Sequence, residues 1–198
     1  MAETAKIINP QKQVLIPEKA LCPMAMMLSP GEIKKAKEKY NAPVVLYVNT
    51  HASCKALADY ACTSANAVKV INSIDSGTVI FGPDKNLAEY VQGKTEKKII
   101  PIPEYGLCPV HHQVSLSDVK RARSLHKNAK FIAHPETRTE VSNIADYVGS
   151  TEQMINYCKN SINREFIIGT ENGIIYRMEK EMPGIFFIPR QRQQYLPT

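Results

Sequence analysis

No stretch of this sequence approaches the roughly 20 consecutive apolar residues that a helix needs to span a bilayer. Its start, MAETAKIINPQKQ, lacks the apolar core of a secretory signal. There is no tryptophan, no ladder of aromatics and no recognisable nucleic-acid motif. The cysteines number five, an odd count without an export signal, which argues against a disulfide framework. Together these absences predict a soluble, cytoplasmic protein that binds neither membrane nor nucleic acid. Some of its cysteines are then metal ligands and others buried fillers.

What is present is an ordinary globular composition, 43% apolar over 198 residues, enough for one large domain or two small ones. The net charge of +6 is spread along stretches such as EIKKAKEKY and DVKRARSLHK, which read as solvated helix faces. A basic site for small anionic substrates fits the same charge.

One stretch raises a chemical question. In EYGLCPVHH (104–112), Cys108 precedes His111 with the Cys-x-x-His spacing of a metal site, but a thiol beside a surface histidine pair reads the same. Its context is repeated. A second Leu-Cys-Pro surrounds Cys22, 86 positions upstream. NAPVVLYVN (41–49) matches NAKFIAHPE (128–136), ADYACTS (58–64) matches ADYVGST (145–151), and VIFGPDKNL (79–87) matches FIIGTENGI (166–174), each at an offset of 87. A duplicated unit of this length is a small domain, too long for a solenoid repeat. The implied organisation is a tail of an earlier unit over 1–21, one unit over 22–107 and another over 108–198. Ile188-Pro189 repeats Ile102-Pro103 and calls for a third thiol near 194, where Gln194 and Tyr195 stand.

Within each unit, apolar β-branched runs such as APVVLYV, GTVIFG and KKIIPIP read as strands covered on both faces. SPGEIKKAKEKY, TSANAVKVINS and PDKNLAEYV read as helices opened by cap residues. The alternation predicts an α/β fold of three-layer α/β/α units with parallel sheets. Ligands in such folds lie beyond the carboxyl ends of strands, where Tyr47, Asn49, Gly82, His134, Glu136 and Gly169 fall. Cys22 and Cys108 occupy equivalent loops and are expected to converge on that face. His134 and Glu136, two apart on a strand, should share a face.

Taken in order, MAETAKIINP, CPMA, APVVLYVNT, CTSANAV, VIFGPDKNLAEYV, CPVH, AHPE, ADYVGST and GTENGIIYR resemble the quinolinate synthase family, over residues 1 to about 190. The resemblance implies three similar α/β domains about a pseudo-threefold axis, of which two are represented. Each domain of the family gives one cysteine to a single [4Fe-4S] cluster whose fourth iron is open. It implies a transferase-class enzyme of NAD (pyridine nucleotide) biosynthesis that condenses iminoaspartate with dihydroxyacetone phosphate. An enzyme that makes iminoaspartate would be its functional neighbour. Position by position, Cys22 and Cys108 match cluster ligands, and Cys54, Cys62 and Cys158 match none and read as packing residues on helices. Tyr47 and Asn49 match contacts to the substrate carboxylates and reacting end. Ser64, Ser150 and Thr151 match phosphate or carboxylate contacts, and His134 and Glu136 match acid–base groups near the open iron. By themselves Tyr47 and Asn49 read as structural, Ser64 as a helix cap, and His134 with Glu136 as a solvated pair. His111 matches a family histidine and reads as a supporting residue rather than a ligand.

The family's first domain and third cysteine find no counterpart in residues 1–198, so the isolated chain is expected to be inactive. Two other readings stand beside the enzyme. One is a non-catalytic remnant that binds dicarboxylates or phosphates. The other is a zinc protein using Cys22, Cys108 and His111.

Overall fold

A computed structural model describes residues 1–16 and 21–189. The chain divides into two compact units, Met1–Pro109 and Val110–Thr198. The position near 194 where the repeat calls for a thiol lies outside the described residues.

The first unit runs α1 (Ala2–Ile8), α2 (Pro23–Met26), α3 (Pro30–Tyr40), β1 (Val44–Tyr47), α4 (Ala52–Lys55), β2 (Tyr60–Cys62), α5 (Ala67–Ser73), β3 (Thr78–Gly82), α6 (Lys85–Gln92) and β4 (Lys98–Pro101). Its four strands are all parallel, in the order β2-β1-β3-β4. After α7 (Pro109–His112), the second unit runs α8 (Leu116–Leu125), β5 (Lys130–Ala133), α9 (Thr139–Ser142), β6 (Tyr147–Val148), α10 (Thr151–Asn160), β7 (Glu165–Gly169), α11 (Gly173–Glu181) and β8 (Phe186–Pro189). Its sheet has the equivalent order, β6-β5-β7-β8, again all parallel. The predicted α/β class with parallel sheets is therefore what the chain adopts.

Strand pleating builds a core on each side of each sheet. Val45, Val79, Phe81 and Ile99 pack with Ile71 of α5 and Leu87 and Val91 of α6. The residues between them, Val44, Leu46, Ile80 and Ile100, pack with Ile33 and Ala36 of α3 and Cys54 of α4. In the second unit Ile132, Phe166 and Ile168 meet α10 and α11, and Phe131, Ala133 and Ile167 meet α8 and α9. Both faces are covered, which is why the strands read as unbroken apolar runs. Each fully buried side chain of this size contributes about 1.5–3 kcal/mol.

The helix entries follow local chemistry. Ser29 caps α3 in a capping box: its Oγ accepts from the Glu32 N–H, and the Glu32 carboxylate accepts from the Ser29 N–H at 2.8 Å. Pro30, which lacks the N–H a first helical residue does not need, follows it. Asn41 ends the same helix at φ 44°, a conformation asparagine tolerates.

Two local expectations are corrected. Cys62 is not helical. It ends β2, paired in register with Tyr47, because the short run Tyr60–Cys62 extends alongside β1. Ser64 does not begin a helix. It lies in a turn in which Asn66 Oδ1 accepts from the Thr63 N–H at 2.7 Å and from the Thr63 hydroxyl at 3.0 Å, and the helix starts at Ala67.

Candidate active site

In the first unit the candidate residues gather at the carboxyl edge of the sheet. Asn49 lies two residues beyond β1, and its Nδ2 donates to Cys22 Sγ at 3.4 Å. Asp84 lies two residues beyond β3, and its Oδ2 accepts from the Cys108 N–H at 2.7 Å while its Oδ1 accepts from the Leu87 N–H at 2.7 Å. Because β1 and β3 are parallel neighbours, both cysteines stand at one edge of one sheet. Tyr47 is the last residue of β1, half-buried against the first core. Asn49 Oδ1 is buried and finds no hydrogen-bond partner among the described residues.

The five thiols fall into two groups, and no disulfide joins any of them among the described residues. Cys22 and Cys108 are half-buried, whereas Cys54, Cys62 and Cys158 are fully buried. Burial pushes the Cys54 thiol up and the Cys158 thiol up to about 12, as expected for thiols packed in an apolar core. The two reachable thiols at a strand edge, one already receiving an amide N–H, suit thiolate ligation of an iron–sulfur cluster.

The second unit builds a different group at the matching edge. β5 stops at Ala133 because Pro135 has no N–H to offer a ladder. His134 and Glu136 are therefore in the loop beyond the strand rather than on it. The turn closes with the Thr137 N–H and hydroxyl both donating to the His134 carbonyl, at 3.0 and 2.8 Å. His134 and Glu136 are 4% and 3% exposed, so they are not a solvated pair. The Glu136 N–H donates to His134 Nδ1 at 3.3 Å, which leaves the proton of a neutral ring on Nε2. Burial lowers the His134 pKa to about 4, against the pull of the Glu136 carboxylate and with a smaller push from His111.

His111, in α7, joins this group. Its ring stacks on that of His134, with centroids 4.1 Å apart and planes 9° apart. Its Nδ1 is 2.9 Å from Glu136 Oε2, and its Nε2 is 2.8 Å from Thr170 Oγ1. Thr170 follows β7, the parallel neighbour of β5, and is 2% exposed. Arg138 Nε donates to the His112 carbonyl at 2.9 Å and ties the end of α7 to the same loop.

Ser150 caps α10 and Thr151 is its first residue. Gln153 Oε1 accepts from the Ser150 N–H at 2.9 Å. Ser150 is buried and Thr151 exposed. Ser64 is half-buried in its turn before α5. Ser64 follows β2 and Ser150 follows β6, so each stands at the carboxyl edge of its own sheet. Reading by residue type missed Thr170 and Asp84. Both follow a strand-end glycine whose position was legible, but their roles depend on which loops the fold brings to them.

The sequence has known relatives. Residues 1–196 match the family model described as quinolinate synthetase A protein. A quinolinate synthase of Thermotoga petrophila is 51% identical over 96% of the chain and 64% of its own length. One of Methanocaldococcus jannaschii is 53% identical over 92% of the chain and 60% of its own length. One of Pyrococcus horikoshii is 52% identical over 98% of the chain and 65% of its own length. The chain thus spans a little under two thirds of these relatives, and by extent and identity it belongs to the quinolinate synthetase A protein family.

Proposed function

We propose that this chain carries two of the three α/β domains of a quinolinate synthase, a transferase-class cytoplasmic enzyme of NAD biosynthesis. The reaction joins iminoaspartate to dihydroxyacetone phosphate, with loss of phosphate and water as the pyridine ring closes. The observation that supports it best is the sorting of the thiols. Cys22 and Cys108, the two positions that match family cluster ligands, are the two half-buried cysteines of five, at one edge of one parallel sheet.

Cys22 and Cys108 would hold a [4Fe-4S] cluster together with a third thiolate from outside residues 1–198. The cluster, when bound, supplies a Lewis-acidic iron with an open coordination position. The protein's own groups do the rest. Tyr47 and Asn49 hold the substrate carboxylates, and Ser64, Ser150 and Thr151 contact phosphate or carboxylate oxygens. His134 is neutral across the physiological range and offers its Nε2–H to oxygen atoms that gain charge. Glu136 accepts protons, steadied by the His111 ring. Iminoaspartate hydrolyses readily in water, so an enzyme that produces it is the expected functional partner.

The test joins residues 1–198 to the remaining segments of a relative such as that of Pyrococcus horikoshii, then reconstitutes anaerobically with iron and sulfide. Quinolinate should form from the two substrates, and Cys108→Ser should abolish it. Residues 1–198 alone should form none. A colourless protein that takes up stoichiometric zinc, or a folded one that binds no metal, would overturn the proposal.

A further inference from the structure

We propose that Thr170 is a positioning residue that sets the tautomer of His111 and thereby holds the Glu136 carboxylate in its working orientation. The inference deepens the function proposed above and rests on it for its catalytic consequence only. For a neutral His111 ring, the hydrogen bonds select the tautomer. A carboxylate can only accept, so at 2.9 Å from Glu136 Oε2 the His111 Nδ1 carries a proton. A neutral ring protonated there presents a lone pair at Nε2, and the Thr170 hydroxyl, 2.8 Å away, is the donor that meets it. Thr170 is 2% exposed, so solvent does not compete for this bond. The stacked His134 ring, 4.1 Å away, carries its proton on the other nitrogen, because its Nδ1 accepts from the Glu136 backbone. Two parallel imidazoles therefore have opposite tautomers, each set by a different donor.

Without the Thr170 hydroxyl, the Nε2 lone pair is left buried without its donor, and the Glu136 carboxylate alone still favours a proton on Nδ1. A proton that moves to Nε2 to relieve that lone pair leaves Nδ1 facing Glu136 with a lone pair against a carboxylate. That arrangement repels, so ring or carboxylate must turn. Thr170 Oγ1 meets His111 Nε2, and the other ring nitrogen meets Glu136, so the hydroxyl acts on the carboxylate through that ring. Removing the outer hydrogen-bond partner of a metal-binding histidine costs about 10- to 100-fold, and an effect on that scale is expected here.

The test has two arms. In the 198-residue chain, imidazole ¹⁵N NMR should give the Nδ1–H signature for His111 in the native protein and in Thr170→Ser. Thr170→Val should weaken it, with Thr170→Ala used if the valine variant fails to fold. In the completed enzyme, Thr170→Val should lower kcat about 10- to 100-fold with KM nearly unchanged, and Thr170→Ser should restore it. An unaltered His111 tautomer in both Thr170→Val and Thr170→Ala overturns the proposal, as does a serine variant no better than valine. If the completed native enzyme makes no quinolinate, the functional reading fails and the NMR arm still judges the positioning role.

Discussion

The Asp59 carboxylate accepts the Val44 N–H at 2.8 Å, and 87 positions later the Asp146 carboxylate accepts the Phe131 N–H at the same distance. Each aspartate also binds its central strand in the other direction, its own N–H donating to the carbonyl of the same residue at 2.9 and 2.7 Å. Lys37 pairs with Asp59, and Arg123 and Lys130 pair with Asp146. Burial pushes the Asp146 carboxyl up, but the Phe131 N–H, Lys130 and Arg123 more than offset it and leave the pKa below its ordinary value. A carboxyl lowered in this way stabilises the fold above its unfolded pKa and loses that contribution as pH falls through the folded value. Asp146→Asn should therefore cost about 1–3 kcal/mol at neutral pH and flatten the acid limb of the stability curve. Urea titrations at several pH values check this, and an acid limb as steep as the native one would refute it.

Gly169 ends β7 where β5 passes closely. A Cβ there would stand 2.7 Å from Phe131 Cε2 and 3.0 Å from the Ile132 carbonyl. The Phe131 ring is fully buried and cannot retreat without opening the core between β5, α8 and α9. Gly169→Ala should destabilise by about 1–3 kcal/mol and disturb the His134 N–H that donates to the Gly169 carbonyl at 3.1 Å. Gly77→Ala is the control, since a Cβ there has nothing within 4 Å. Thermal unfolding of the two variants should separate them, and equal midpoints would count against the close approach.

The repeat made the fold legible. An offset of 86 to 87 forces both halves into one topology: continuous apolar runs located β1, β3 and β4, and the repeat carried the first two over to β5 and β7. The failures are local. Pro135 cut β5 short and moved His134 and Glu136 into a loop, so the alternation of strand side chains no longer described them. Asn66 captured the Thr63 N–H and delayed α5 past Ser64. The Cys22 and Cys108 loops were visible as repeated Leu-Cys-Pro triplets, while Thr170 could not be assigned, because its role needs β5 and β7 to be neighbours. His111 was visible as a spacing, but its stack on His134 is a property of the fold alone.

His134 gives the second unit its own pH dependence. Its folded pKa, lowered to about 4 chiefly by burial, lies below the ordinary histidine value. Between the two values the unfolded chain binds a proton that the folded chain refuses, so stability is full above the unfolded pKa and falls as pH drops towards the folded one. The groups facing the ring are Glu136, His111 and the backbone of the strand-end turn. The loss across the window from about 6.5 to about 4 should reach roughly 3 kcal/mol. His134→Asn removes the titrating group, so its stability curve should be flatter over that window even if it is lower overall. An identical slope in native protein and variant would contradict the buried, neutral state.

The thiol assignment is checked without any cluster. In the folded protein Cys22 and Cys108 are half-buried, while Cys54, Cys62 and Cys158 lie in the cores at 1%, 1% and 0% exposure. Burial also pushes the Cys54 and Cys158 thiols up, so they supply even less of the reactive thiolate near neutrality. Alkylation of the native chain near pH 8, read by peptide mass spectrometry, should modify Cys22 and Cys108 first, with the other three following only on unfolding. Asn49→Ala removes the amide donor from Cys22 Sγ and should change the labelling rate at Cys22 while leaving Cys108 as it was. Iron and sulfide, where a cluster assembles in the completed protein, should protect the same two positions and no others among the five. Labelling of Cys54 or Cys158 as fast as Cys22 in the native chain would break the division between ligands and packing residues on which the proposed function stands.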